Sequence, residues 1–327
     1  VSGVPYGADD GDPDLPASLV PGSIVPVPWS NKPMAQAFFR IHGENGGNFF
    51  GDPRTVLENA LAPLRSGGKK VVVATELEFY LLDGSSGTPR IGAPRVPGTD
   101  RPQPGTQVYH PEDLFEVEGF LDDVYDWCAA QGVPAAAAIS EYSPGQFEIN
   151  LNHVDDPVLA CDHAVMLKRI VKAAARKHGF VACFMAKPFE EDAGNGLHIH
   201  MSIVDRNGKN YFSQGKENMA LPPFSARLRH AVGGLLKLMP ETTLICAPNA
   251  NSYRRLRPDM FAPVEPNWGV NHRVVSERIP ESDEKNLRLE HRVAGADANP
   301  YLVMAAVAAG VHYGMKNRID PGKMVEQ

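Results

Sequence analysis

In the run Gly194-Asn195-Gly196-Leu197-His198-Ile199-His200-Met201-Ser202, two histidines sit two apart among apolar neighbours. A period of two belongs to a strand, so both imidazoles share one face while Leu197, Ile199 and Met201 enter a core. The glycines just before permit a tight turn and close approach of backbone to something bound. Imidazole is the commonest protein metal ligand, although two histidines on the wet face of a half-buried strand give the same pattern. The period recurs three more times: in Glu76 and Glu78, in Gln146, Glu148 and Asn150, and in Arg288, Glu290 and Arg292. The alternate positions are apolar or aromatic, with His291 as the exception. One such strand describes an ordinary solvated sheet face. Four of them describe the floor of a polar cavity, and Glu141 joins them across the turn-forming Ser143-Pro144-Gly145.

A chain of 327 residues can form one large unit or two smaller ones, and its 43% apolar content supplies a sizeable core. The net charge of −7 argues against a nucleic-acid partner, which wants a basic face. Cys128, Cys161, Cys183 and Cys246 have no CxxC spacing and sit in apolar or helical surroundings, as core thiols of a reducing, cytoplasmic compartment would. No apolar run approaches the length of a membrane span, so no membrane partner is expected.

Residues 1–30 are rich in Pro, Gly and Asp and read as loop or irregular strand, followed by a strand over 35–41. Asp52-Pro53 and Asp156-Pro157 each supply an N-cap and a first-turn proline, opening helices that end near Gly67 and Gly179. Further helices are expected over 111–131, 223–239 and 298–316. Strands are expected over 71–82, 135–151, 180–186, 197–204, 271–279 and 286–293, with a long Gly/Pro-rich loop over 84–107. This mixture lacks the helix-per-strand alternation of a simple barrel.

Clustered carboxylates repel one another unless cations neutralise them. A carboxylate-rich set with few histidines suits Mg²⁺ or Mn²⁺ better than zinc. Arginines crowd one stretch, from Arg254, Arg255 and Arg257 through Arg273 and Arg278 to Arg288 and Arg292, and they need an anion. Divalent ions with arginines are the inventory of phosphoryl transfer. No GxxxxGK[ST] or complete GxGxxG is present, so a nucleotide has to be held by ions and arginines. A GxSxG elbow is absent too, which disfavours a Ser-His-Asp hydrolase.

The chain resembles the catalytic domain of the glutamine synthetase family. The resemblance rests on Glu76-Leu77-Glu78-Phe79, on Glu141 through Asn150, on Gly196 through Ser202 and on Asn251-Ser252-Tyr253-Arg254-Arg255-Leu256. It continues through Asn271-His272-Arg273 to Arg278-Ile279-Pro280, then Arg288 through Arg292 and Asn299-Pro300-Tyr301, all in family order. It implies an α+β fold, an incomplete α/β barrel whose antiparallel strands form an active-site funnel. Residues 45–327 would be that domain, lacking its last helices, and 1–44 the remnant of an N-terminal β-grasp domain with its linker. It also implies ring-shaped homo-oligomers, possibly dodecamers.

Carried over residue by residue, Glu78, Glu141 and Glu148 would hold one divalent ion, and Glu76, His198 and Glu290 a second, among two or three Mg²⁺ or Mn²⁺ in all. His200, Arg273, Arg278 and Arg288 would face ATP phosphates, and Ser202 would contact the nucleotide, with Arg273, Glu290 and His200 closest to the chemistry. Arg255 and Arg292 would clamp the carboxylates of glutamate, and Gly194 would lie beside its amino group. The implied reaction makes γ-glutamyl phosphate from ATP and glutamate, after which an amine attacks the acyl carbon.

Two positions depart from the ammonia-using pattern. Where those members carry a flap glutamate before Ala-Pro-Val, this chain has Phe261, and an Asn near the substrate's amino group is replaced by Ala193. Phe261, together with Trp268, resembles the γ-glutamylpolyamine and γ-glutamylamide ligases, since an aromatic wall suits an organic amine. Glu265 is then a candidate base. The alternatives are an ammonia-using glutamine synthetase, with Glu265 compensating, or an inactive structural member; the filled set of metal positions speaks against the latter.

Overall fold

The computed structural model describes residues 14–85, 87–96, 98–105, 108–213 and 225–326. Near the N-terminus β1 (Ala17–Leu19) pairs with β4 (Phe39–Ile41), and β2 (Val25–Pro26) with β3 (Ala35–Gln36). The strand expected over 35–41 is split because the backbone at Phe38 turns to bond Ser23 Oγ at 3.0 Å.

Local rules place the helices. Asp52 caps α1 (Pro53–Leu61) by accepting from Thr55 N at 2.9 Å, and Pro53 loses no bond at a position whose N–H would be orphaned. The long strand β5 (Lys70–Asp83) follows. The single helix expected over 111–131 breaks into α2 (Pro111–Phe115) and α3 (Glu118–Gln131), where Val117 leaves helical geometry. Next come β6 (Ala135–Ser140), β7 (Gln146–Leu151) and α4 (Pro157–Lys177), capped by Asp156 through Val158 N at 3.1 Å. They are followed by β8 (Phe180–Cys183), β9 (Leu197–Val204), α5 (Ala226–Cys246) and α6 (Ala250–Tyr253).

The expected start of α5 at 223 lies outside the described residues, and the helix runs past 239 with Pro240 inside it. Tertiary packing overrides that proline: α5 lies so close on the last helix, α7 (Pro300–Asn317), that a Cβ at Gly234 would sit 2.1 Å from Gly310 O. Between them run β10 (Trp268–Val270), β11 (Glu277–Ile279) and β12 (Leu289–His291). These are shorter than the strands expected over 271–279 and 286–293. Asn271, at φ 53°, turns the chain and its N–H returns to Ile279 O at 3.1 Å.

The main sheet has the order β10-β11-β12-β9-β5-β7-β6, with β8 paired to the far end of β5. Only β10–β11 is parallel. The result is a mixed α/β domain with one large, mostly antiparallel sheet. Strand alternation turns Leu77, Phe79, Phe147, Ile149, Ile199 and Leu289 to one face, where each is fully buried. That face is covered by helices: α4 packs on β5, β8 and α3, and α7 on α1 and α5. Among the described residues no helix is long and apolar enough to cross a membrane.

Candidate active site

The opposite face of the sheet collects the charged half of the alternation. Register sets Glu76 across from both His198 and Asn150, and Glu78 across from Glu148. It sets Glu290 across from both His200 and Arg278. Directly opposed residues share a face, so four separated segments converge. His198 Nδ1 lies 3.1 Å from Glu76 Oε2, with Glu148 at 3.8 Å and Glu290 at 4.0 Å. His200 Nε2 lies 2.8 Å from Glu76 Oε1, and Arg288 Nε donates to His200 Nδ1 at 3.2 Å. Gly196 N donates to Glu78 Oε2 at 2.6 Å, and Glu290 is held by Arg278 at 2.7 Å and by Arg292.

The carboxylates titrate in opposite directions. Burial, then the charges of Glu76, Glu141 and Glu78, pushes Glu148 well above the ordinary range. Burial and the charge of Glu78 push Glu141 up to about 8. At Glu76 burial also pulls upward, but the His200 charge and the hydrogen bonds of both histidines outweigh it and hold the group well below its usual value. Glu290 is held down at about 2, burial being overcome by His200 and Arg292.

Two groups bring one donor atom per residue within 4.8 Å of one another: Glu76, His198 and Glu290, and Glu78, Glu148 and His198. The first is the set expected for one ion. The second differs from the expected Glu78, Glu141 and Glu148: His198 stands in it, while Glu141 lines the same cavity outside the tight group. An all-oxygen and imidazole donor set with two carboxyls forced toward neutrality is what a hard divalent cation relieves. Asn150 Oδ1 is also buried there without a partner.

Two cavities meet at this cluster. The first, about 360 Å³, contains the carboxylates together with Arg255, Arg273, Arg278 and Arg292. The side chains of Arg278 and Arg292 line it, and their Nε atoms are buried without a hydrogen-bond partner. The second, about 1040 Å³, is lined by His200, Ser202 and Arg288, and shares Glu76 and Asn150 with the first. The nucleotide residues expected from the sequence therefore divide, with Arg273 and Arg278 on the first cavity and the other three on the second.

Gly194 lines the first cavity, its carbonyl fixed by Gln146 Nε2 at 2.9 Å. A Cβ there would lie 2.5 Å from Ala186 O and 2.7 Å from Arg255 Cγ, so only glycine fits. Tyr109, Ile139, Tyr142, Met260 and Phe261 give the same cavity an apolar wall. The rings of Tyr142 and Phe261 are 4.5 Å apart, and Arg273 lies over the Tyr109 ring at 5.7 Å.

Trp268 is not part of this wall. Its register partner is Glu277, whose side chain points to the helix-covered face, and Trp268 follows it there, 1% exposed, donating to Gly322 O at 3.3 Å. Glu265 is exposed and likewise does not line the cavity, so it is not placed to act as the base. Sequence reasoning missed Tyr109 and Tyr142. Tyr142 lies inside the quoted motif next to Glu141, whereas Tyr109 follows a long loop and carries no signal.

Fold and site together define a class: an enzyme whose antiparallel sheet gathers carboxylates for divalent cations and arginines for phosphate and carboxylate anions. Residues 50–327 match the family model described as glutamine synthetase, catalytic domain, and the chain belongs to the glutamine synthetase family. Enzymes of this family use ATP and divalent metal ions. The chain is 42% identical to the gamma-glutamylputrescine synthetase PuuA of Escherichia coli (strain K12), over 98% of this chain and 67% of that protein. It is 33% identical to a glutamate–isopropylamine ligase of a Pseudomonas species, over 96% and 67% respectively. Among solved structures, a GmaS–ADP complex superposes with a TM-score of 0.84 at 28% identity, over 98% of this chain and 71% of that one.

Proposed function

We propose that this chain is a glutamate–amine ligase, using ATP to join the γ-carboxyl of glutamate to an organic amine. The observation that carries the reading is the single cavity lined by Tyr109, Tyr142 and Phe261 together with Arg255, Arg292 and the carboxylate cluster. The similarity to ligases named for putrescine and isopropylamine supports it.

Arg292 lines the cavity with its guanidinium tied to Glu290, and Arg255 is pinned by Val293 O at 2.9 Å and Arg292 O at 3.2 Å, so both guanidiniums are fixed before glutamate arrives. The γ-carboxylate resists nucleophiles until one oxygen becomes phosphate. Arg273 and Arg278, beside the carboxylates, would receive the transferring group, while Arg288, His200 and Ser202 hold the nucleotide in the second cavity. Glu76, His198 and Glu290, and Glu78, Glu148 and Glu141 with His198 shared, would hold two or three Mg²⁺ or Mn²⁺, which when bound supply positive charge against phosphate. An amine then attacks the acyl carbon, its carbon chain packed on Phe261 and Tyr142.

The open sheet order is read as an incomplete barrel whose charged face is the funnel, residues 14–44 as part of a preceding domain, and the working form as a ring of copies; sedimentation velocity tests the last point.

The test of function is ADP release and amide product mass with a panel of ammonium, alkyl diamines, monoamines and anilines. The best organic amine should exceed ammonium several-hundred-fold in kcat/KM, on the order of what sequestering four or five methylenes contributes. Equal turnover of ammonium and the best organic amine would make the chain a plain glutamine synthetase.

A further inference from the structure

The segment that carries Phe261 is fastened at both ends to one crossing of backbone, and the far fastening converges on one buried serine. The β11–β12 register pairs Glu277 with His291 and Arg278 with Glu290, and one step further Arg292 N donates to Ser276 O at 3.0 Å. Alternation gives the Ser276 side chain the same face as Arg278 and Glu290. Ser276 is fully buried and every polar group it has is used. Its hydroxyl donates to Glu265 O, its N–H donates to Asn267 Oδ1 at 3.0 Å, and its carbonyl accepts from Arg292. Glu277 N adds a bond to Asn267 O at 3.1 Å. At the near end, the Arg255 guanidinium grips the carbonyls of Arg292 and Val293. Residues 256–264 thus form a span with one foot on 292–293 and the other on 276–277, and Arg292, which joins the feet, itself lines the cavity.

We infer that Ser276 is a positioning residue that sets the seat of the Phe261 span relative to Arg292, and thereby decides whether amine or water reaches the activated carboxyl. The inference rests on the proposed amide-forming reaction. Two nucleophiles compete for γ-glutamyl phosphate. An amine forms a C–N bond, the C–O bond to phosphate breaks with its electron pair leaving on phosphate, and the amine's proton passes to a base. Water breaks the same bond and returns glutamate, so the net change is ATP and water to ADP and phosphate. Without the serine hydroxyl, Glu265 O loses its donor and the span is free to lift Phe261 off Tyr142. Water then gains the place the amine body held.

The experiment measures amide formed per ADP released, using the full chain at saturating glutamate, ATP and best amine. Wild type should release nearly one amide per ADP, with a small but measurable hydrolysed share. Ser276→Ala should raise the hydrolysed share roughly fivefold, the population shift expected from removing one hydrogen bond to a buried acceptor, while ADP release and the KM for glutamate stay within about twofold. Ser276→Thr, which keeps the donor, should restore coupling. Asn267→Ala removes the acceptor of the Ser276 N–H but leaves the serine hydroxyl in place, and should uncouple in the same direction, covering the case in which a position-276 variant does not fold. If coupling is unchanged in Ser276→Ala and Asn267→Ala, or if ADP and amide fall in parallel, the positioning role is wrong although the reaction stands. If wild type releases ADP but forms no amide with any amine, the reading of the reaction fails and the inference falls with it.

Discussion

Without cations the acidic cluster should make the folded state less stable as pH rises, and divalent ions should reverse the trend. The size follows from Glu141, raised from an ordinary 4.5 to about 8 by burial and Glu78. A folded-state value above the unfolded one means that the folded protein keeps a proton which the unfolded chain has lost. The stability is fully present below about 4.5 and drains away as pH climbs toward about 8. At about 1.4 kcal/mol per pH unit per proton, the ceiling for Glu141 alone is roughly 5 kcal/mol. Because Glu148 is raised too and the two share their repulsion, we expect on the order of 3 kcal/mol between pH 5 and 8, about 5 °C in Tm. The depressed Glu76 and Glu290 act at lower pH, where their contribution is lost as pH falls, for Glu290 toward about 2, so they do not enter this window. His291, raised to about 10 by its partner Glu277 against its burial, adds a slope of the same sign above 6.5. The diagnostic quantity is therefore the difference between wild type and Glu141→Gln, followed by scanning fluorimetry in EDTA from pH 5 to 8. Wild type should lose Tm faster than the variant, and millimolar Mn²⁺ should lift wild type most at pH 8. Parallel pH profiles for the two proteins, or an Mn²⁺ shift that does not grow with pH, would refute the argument.

Three further outcomes are expected. His198→Asn removes the one side chain common to both donor groups, so titration calorimetry with Mn²⁺ should show every tight site weakened at least tenfold. Gly194→Ala forces a Cβ to 2.5 Å from Ala186 O and 2.7 Å from Arg255 Cγ; the protein should lose roughly 1–3 kcal/mol in urea unfolding and most of its glutamate-dependent ADP release. Phe261→Glu puts a proton acceptor in the cavity in place of an apolar ring, so kcat/KM for the best alkylamine should drop while that for ammonium rises, at least tenfold in their ratio.

What was legible in the sequence was whatever has a local cause. Asp52 and Asp156 announce helix starts because a capping carboxylate and the proline after it act within one turn. β9 runs over residues 197–204 because apolar and polar residues alternate from Leu197 to Ile203. The convergence of Glu76, Glu78, Glu148, His198 and Glu290 could be anticipated from a shared period, since four half-polar strands have one economical arrangement, side by side. Partition within the cluster was not legible. Whether His198 or Glu141 completes the group of Glu78 and Glu148 depends on offsets between neighbouring strands, and a period of two says nothing about offset. Trp268 was misplaced for the same reason, because a three-residue strand after a turn can face either way until its partner is known.

The sharpest case is His291, the one ionisable residue at a core position of the four polar-alternating strands. Taken singly, a histidine among core positions reads as noise in the alternation, and Glu277 reads as surface in a strand of unknown register. Register makes them directly opposed on the helix-covered face, with Glu277 Oε1 2.5 Å from His291 Nδ1 and Cys246 Sγ 3.6 Å from Nε2. Glu277 is wholly buried and His291 nearly so, and each is tolerable there only because of the other. The pair sits directly behind Arg278 and Glu290, so the bond between Glu277 and His291 penalises any slip that would carry those two side chains off the active face. A one-residue slip would separate two buried charges as well as exchange the faces. A hydrophobic pattern specifies such a crossing only weakly in strands of three residues, and the buried pair supplies the specificity that length does not.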